Sequence, residues 1–275
     1  MVEYPRLGGW RSGYRATLTL SRPQVRLLYR PHLPNTMAFT ELNGRRYWLS
    51  IAGTMGVGKS TLAQLLLKEI PKSVLLPEKY DKNPYLKDYY KDPFAWAYLS
   101  QLWFLRTKAQ QIKTIPKKLR KKRVILQDTP LDEDALAYAT ALHAEGKISD
   151  EHWEKYLQEF NHFAHTLPHP ALLIYLAAPT EMIMQRIERR GRDFEAKVDP
   201  EYIQQLNEYN EGWVREYPWP ILQITTDALN LVDNPPDQQL ALRMIQDRLQ
   251  RLFPPKKKPV RTNNHGPVRR LRGRR

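Results

Sequence analysis

The stretch "WLSIAGTMGVGKSTLAQLL", Trp48 to Leu66, decides the fold. It fits the pattern G-x-x-x-x-G-K-[ST], with Gly53, Gly58, Lys59 and Ser60 at the fixed positions. Upstream, "RRYWLSIAG" is an aromatic and β-branched run that reads as a buried strand. Downstream, "KSTLAQLLLKEI" has apolar residues at helical spacing. Strand, Gly-rich turn and helix is the context in which backbone N–H groups and a helix N-terminus converge on phosphate oxygens. Gly53, Thr54, Met55, Gly56, Val57, Gly58, Lys59, Ser60 and Thr61 are therefore the expected cradle for ATP. Lys59 is expected to reach the β and γ phosphates, and the Ser60 hydroxyl to ligate Mg²⁺.

The rest of the chain extends this unit into a larger α/β domain. With 275 residues there is enough length for one sizeable core. No run of 18 uncharged apolar residues occurs, so no membrane contact is expected, and the expected location is the cytoplasm. The absence of cysteine excludes disulfides and thiolate metal sites. The formal charge of +15 is concentrated at the ends: residues 1–36 carry +5 and residues 254–275 carry +9, leaving 37–253 at +1. Residues 1–36 read as a disordered or non-native extension, 37–253 as the catalytic body, and 254–275 as a disordered basic tail able to make nonspecific contact with nucleic acid.

Within the body, apolar runs alternate with helical patterns. A strand is expected from Ser73 to Glu78, and a long helix over 92–115, with Asp92 as N-cap and Pro93 at its first position. A basic turn leads into the strand "VILQD", closing on Asp128, and two helices follow, the first over 132–146 and the second opened by Ser149 and Asp150. "ALLIYLAAP" is a further strand, "TEMIMQRIERRGRDFE" a helix and loop, and another helix, the strand "ILQITT" and a last helix to Leu252 complete the body. Such alternation means a parallel sheet with helices on both faces, and ligands beyond the carboxyl ends of the strands.

Asp128 and Glu78 each close a strand beside the cradle. Asp128 is placed to manage Mg²⁺ and Glu78 to take a proton from an attacking hydroxyl. Arg186, Arg189 and Arg190 share one helical face, with Arg192 just beyond Gly191. Arginines at that place supply an Arg-rich lid that neutralises transferred charge.

The chain resembles the deoxyribonucleoside kinase family, closest to its bacterial deoxyadenosine/deoxyguanosine kinase branch. The carriers are "GTMGVGKST", "PEKYDKNPYL", "YYKDPFAWAYLSQLWFL", "LQDTPLDEDALAYA", "LIYLAAP" and "RIERRGRDFE", in the family's order. The resemblance implies a P-loop kinase fold, ATP with Mg²⁺, a deoxyribonucleoside substrate and a homodimer to which Trp153–Phe163 contributes. It implies that Glu78 activates the 5′-hydroxyl, Gln101 pairs with the base edge, Tyr90 and Glu195 hold the 3′-hydroxyl, and Tyr138 stacks on the base. Asp134 is implied beside the base, with Lys108 where an arginine is usual, and Arg186, Arg190 and Arg192 as lid arginines.

One departure is marked. The family's acid-Arg-Ser/Thr triplet is here Asp128-Thr129-Pro130, so its arginine is absent. The expected activity is transfer of the ATP γ-phosphoryl to the 5′-hydroxyl of a deoxyribonucleoside, a purine one preferred. Two alternatives stand beside it: a nucleoside monophosphate kinase, and a weakly catalytic nucleotide-binding module with a nucleic-acid-binding tail.

Overall fold

The computed structural model describes residues 45–192, 198–227 and 229–254. The expectations for residues 1–36, for Glu195 and for the tail from residue 255 lie outside them. Five strands form one parallel sheet: β1 Tyr47–Ala52, β2 Ser73–Leu76, β3 Val124–Asp128, β4 Leu172–Ala177 and β5 Ile221–Thr225, in the order β2-β3-β1-β4-β5. β1 and β3 are buried along their whole length, as befits strands covered on both faces, whereas β2 and β5 at the edges are mostly half-buried.

The alternation of side chains along β1 divides two packed layers. Leu49 and Ile51 meet Leu62 and Leu66 of α1 (Lys59–Glu69), Ile183 and Ile187 of α7 (Thr180–Arg190), Ile203 of α8 (Pro200–Arg215) and Ile245 of α9 (Pro235–Leu252). Trp48 packs on the other face with Leu105 and Ile112 of α3 (Pro93–Leu119) and Tyr156 and Phe160 of α6 (Asp150–Thr166). The short α2 (Leu86–Lys91) leads into α3. β1 lies between β3 and β4, so the chain after it enters the crevice where strand order reverses, the place such sheets bind ligands.

The caps of the two longest helices on that face follow the sequence. Asp92 accepts from Ala95 N at 3.2 Å with Pro93 behind it, and Ser149 accepts from His152 N at 3.4 Å. Three expectations need correction. β2 ends at Leu76, not Glu78, which places Glu78 in the loop beyond the strand. α3 runs through Pro116 to Leu119, because a proline in the last turn forfeits only one backbone bond, and Lys117 and Lys118 complement the helix dipole there.

The expected single helix over 132–146 is instead α4 (Leu131–Glu133), a π-helical turn Asp134–Ala139 and α5 (Thr140–Ala144), with the Thr140 hydroxyl donating to Ala135 O at 2.9 Å. Widened i→i+5 turns cluster at functional sites because they re-aim consecutive side chains. Here the widened turn carries Asp134 and Tyr138, immediately after Glu133.

Candidate active site

The loop between β1 and α1 is built from backbone that only glycine adopts at low cost. Gly53 has φ +134°, and a Cβ there would lie 2.3 Å from Leu176 O of β4. Gly58, the N-cap of α1, has φ +113°, and a Cβ on it would meet nothing within 4 Å. Gly53 is thus required by close packing, whereas Gly58 borders open space at a helix N-terminus, the geometry an anion fills.

Lys59 donates to Gly53 O and, at 3.0 Å, to Glu133 Oε1. Glu133 is fully buried, and its Oε2 accepts from Gly53 N at 2.7 Å. One carboxylate therefore ties the first glycine of the loop to its lysine. Burial pushes the Glu133 carboxyl up, against the pull of Lys59 and the Gly53 amide. Burial alone would lower Lys59, but Glu133, Asp128 and Glu78 reverse the sign and hold it above its ordinary value. Glu133 was not among the sequence candidates. The available signal was three consecutive acids, Asp132, Glu133 and Asp134, at the start of a helix that follows a buried strand.

Ser60 Oγ donates to Asp128 Oδ2 at 2.7 Å, and Asp128 Oδ1 is buried with no hydrogen-bond partner among the described residues. A hydroxyl beside an under-satisfied carboxylate fits Mg²⁺ carried in on phosphate oxygens. No group of three or more His, Cys, Asp or Glu suited to a metal exists among the described residues. Burial raises the Asp128 carboxyl, opposed first by Lys59.

From this loop a cavity of about 860 Å³ extends past Glu78, Tyr90, Gln101, Asp134 and Tyr138. Gln111 Nε2 donates to Pro77 O at 3.1 Å, which pins the residue before Glu78. Gln101 is 8% exposed on α3, one residue beyond Ser100, which accepts from Asn83 Nδ2 through both Oγ and O. Tyr138 is bound to the loop itself, its hydroxyl accepting from Met55 N at 3.0 Å.

Lys108 neighbours Asp134, as the resemblance implies, but stands back from the cavity. Its side chain is 3% exposed and does not line the cavity. Its ammonium stands behind the wall, 2.5 Å from Asp134 Oδ1 and 3.2 Å from Glu78 Oε1. Asp134 Oδ2 is buried without a partner among the described residues. Burial, aided by Glu78 and opposed by Lys108, pushes the Asp134 carboxyl up to about 7. Thr129, where the arginine is missing, is 1% exposed in the left-handed region at φ +65°, a strained conformation for a β-branched residue.

Arg186, Arg190 and Arg192 all border the cavity. Arg186 is committed to structure: it donates to Val57 O at 2.9 Å, Thr226 Oγ1 at 2.7 Å and Thr226 O at 2.8 Å, clamping the loop to the turn after β5. The Arg192 guanidinium lies 5.1 Å from the Tyr80 ring centroid. Thr226, Asp227 and residues 229–232 also border the cavity, and they too were absent from the sequence candidates because nothing in their composition marks them.

Known proteins resemble this chain in sequence and fold. The family model for deoxynucleoside kinases matches residues 49–249. The deoxyadenosine/deoxycytidine kinase of Bacillus subtilis (strain 168) is 32% identical over 189 residues, covering 68% of this chain and 85% of the relative. Deoxyguanosine kinase of the same organism is 30% identical over 159 residues, covering 58% and 74%. The structure of deoxyadenosine kinase from M. mycoides with bound dATP superposes with a TM-score of 0.62 at 24% identity, covering 72% of this chain and 98% of that one, which shows the shared fold. The loop, Asp128 at the end of β3 and the family match over residues 49–249 together establish that this chain belongs to the deoxynucleoside kinase family.

Proposed function

We propose that the chain transfers the γ-phosphoryl of ATP to the 5′-hydroxyl of a deoxyribonucleoside, with Mg²⁺, and prefers purine nucleosides. The observation that carries this reading is the continuity of one cavity from the Gly58 cradle to Glu78 and Asp134. Glu78 is the general base for the 5′-hydroxyl. Lys108 holds Glu78 from behind and ties it to Asp134. Lys59, Arg190 and Arg192 stabilise charge on the transferred group, the last two from a lid that excludes water. Mg²⁺, when bound, neutralises phosphate charge, with Ser60 and Asp128 as the side chains that hold it.

Gln101 reads the base edge, and the unpartnered Asp134 oxygen accepts an N–H from the base. This favours bases with an exocyclic amine beside a ring nitrogen, adenine first. Tyr90 and Glu195 are assigned to the 3′-hydroxyl, and Tyr138 to the face of the base. Phe94 and Leu99, exposed on α3, support a homodimer that uses α3 and α6. No helix among the described residues is long and apolar enough to cross a membrane. We place the enzyme in the cytoplasm, and assign the tail to nonspecific nucleic-acid contact.

The test is a panel of the natural deoxyribonucleosides with labelled ATP, scored for 5′-monophosphate. Deoxyadenosine is expected to be phosphorylated efficiently. Phosphorylation of thymidine monophosphate with no nucleoside turned over would establish a monophosphate kinase instead, and no turnover at all would favour a binding module.

A further inference from the structure

The edge of the sheet opposite the cavity carries a second feature. Residues 117–123, "KKLRKKR", hold six cations, and no acid occurs from Lys113 to Gln127. The fold gathers further cations beside them. Tyr47 and Ser73 both pair in register with Val124, so Arg46, Lys72 and Arg123, each one residue earlier, lie in a row across the starts of three strands. The row is stitched by the backbone: Arg123 N donates to Lys72 O at 2.8 Å, Tyr47 N to Arg123 O at 2.9 Å, and Arg46 Nη1 to Leu119 O at 2.5 Å.

Arg46, Lys72, Lys117, Arg120, Lys121 and Lys122 are exposed, and none of the six is in an ion pair among the described residues. Cations at helix ends usually offset the helix dipole, and Lys117 and Lys118 in the last turn of α3 have that explanation. It does not extend to Lys121 and Lys122, beyond the helix, or to Lys72, between α1 and β2.

Phe253 belongs to the same edge. It lies just past α9 and packs its ring 5.2 Å from that of Tyr47, with the Arg45 guanidinium 5.7 Å over it.

We infer that this edge is a docking surface for double-stranded nucleic acid, gripped through its phosphates by the folded row. This rests on the nucleic-acid assignment made above for the tail and adds a rigid, folded surface to it. The choice of partner follows from what surrounds the charge. The exposed large apolar residues, Tyr90, Phe94, Leu99 and Val232, lie on other segments, so the described part of this edge has nothing to insert between lipid chains and no exposed aromatic on which to stack an unpaired base. Dense cations without such groups suit sequence-independent contact with a phosphodiester backbone. A six-residue strand separates this edge from the P-loop, about 20 Å, so bound nucleic acid leaves the cavity open.

The test uses the full chain and a mixed-sequence 30-base-pair DNA duplex, with binding followed by anisotropy over a salt series. The combined variant Lys72→Gln, Arg120→Gln, Lys121→Gln, Lys122→Gln should bind at least about tenfold more weakly at low salt, and the slope of log affinity against log salt should fall by about 3. A chain ending at Pro254 should also weaken binding while retaining part of the slope. Both should keep wild-type kinase activity, which separates this surface from the active site. The proposal is overturned if the four-site variant keeps the full slope, which would leave the tail acting alone. It is equally overturned if the wild-type chain binds phosphatidylserine vesicles and not the duplex, or binds neither.

Discussion

Lys108 Nζ lies 3.2 Å from Glu78 Oε1 while the same ammonium contacts Asp134 Oδ1 at 2.5 Å. One buried cation thus joins the proposed base of the reaction to the acid proposed to read the nucleobase. Breaking a buried pair by removing one partner costs about 3–5 kcal/mol, because the remaining charge is uncompensated. Lys108→Met leaves two carboxylates facing each other, and kcat should fall about 100-fold or more. The acid limb of its pH profile should move to higher pH, since the pair then keeps a proton longer. Lys108→Arg, which preserves the charge, should recover part of the loss. An unchanged kcat and pH profile in the methionine variant would show that the cation is only packing.

Asp134 should impose a pH dependence on substrate binding. With its carboxyl pushed up to about 7, it is ionised above that pH and able to accept an N–H, and protonated below it. KM for deoxyadenosine should therefore rise as pH falls through about 7, and Asp134→Asn should lack that step. Steady-state kinetics from pH 6 to 8.5 with both proteins distinguishes the cases.

Gly53 and Gly58 should fail in different ways. A Cβ at Gly53 lies 2.3 Å from a backbone oxygen of β4, so Gly53→Ala should cost about 3 kcal/mol or more of stability. A Cβ at Gly58 meets nothing, so Gly58→Ala should cost only the left-handed backbone penalty of about 1–2 kcal/mol. It should nevertheless lose the thermal shift that ATP gives the wild type, because the methyl occupies the anion's space. Melting curves with and without ATP measure both.

Asp132 bears on stability. Burial pushes its carboxyl up to about 6, opposed by a backbone hydrogen bond. The folded state then holds a proton that the unfolded chain releases near its ordinary value of 3.8, so this group's contribution falls as pH rises from about 4 to about 6. Asp132→Asn should be neutral near pH 4 and stabilising by about 1–2 kcal/mol at pH 7.5, allowing for the partial exposure of the side chain. Denaturant melts at the two pH values test the sign.

Much of this arrangement is legible in the sequence because it rests on local rules. Gly53, Gly58, Lys59 and Ser60 are fixed by spacing, the alternating apolar runs dictate a parallel sheet, and Asp92 and Ser149 announce their helices. What escaped the sequence depends on contacts between distant segments. Glu133 reads as a helix-start acid until the fold brings it against Gly53 and Lys59, about 80 residues earlier. Lys108 reads as a residue beside the base, and only packing places it behind Glu78 and Asp134. Arg186 reads as one of a row of lid arginines, whereas Val57 O and Thr226 engage it as a clamp. The π-helical turn has no simple sequence mark, yet it carries Asp134 and Tyr138.

The most direct test of the mechanism is Glu78→Gln, at a position whose side chain is a third exposed and makes no structural contact beyond Lys108 among the hydrogen bonds of the described residues. Positioned general bases contribute about 10²–10⁴-fold. Single-turnover phosphorylation of deoxyadenosine should slow by that factor, while the thermal shift given by ATP stays at the wild-type value. Wild-type turnover in Glu78→Gln would contradict the assignment of the base.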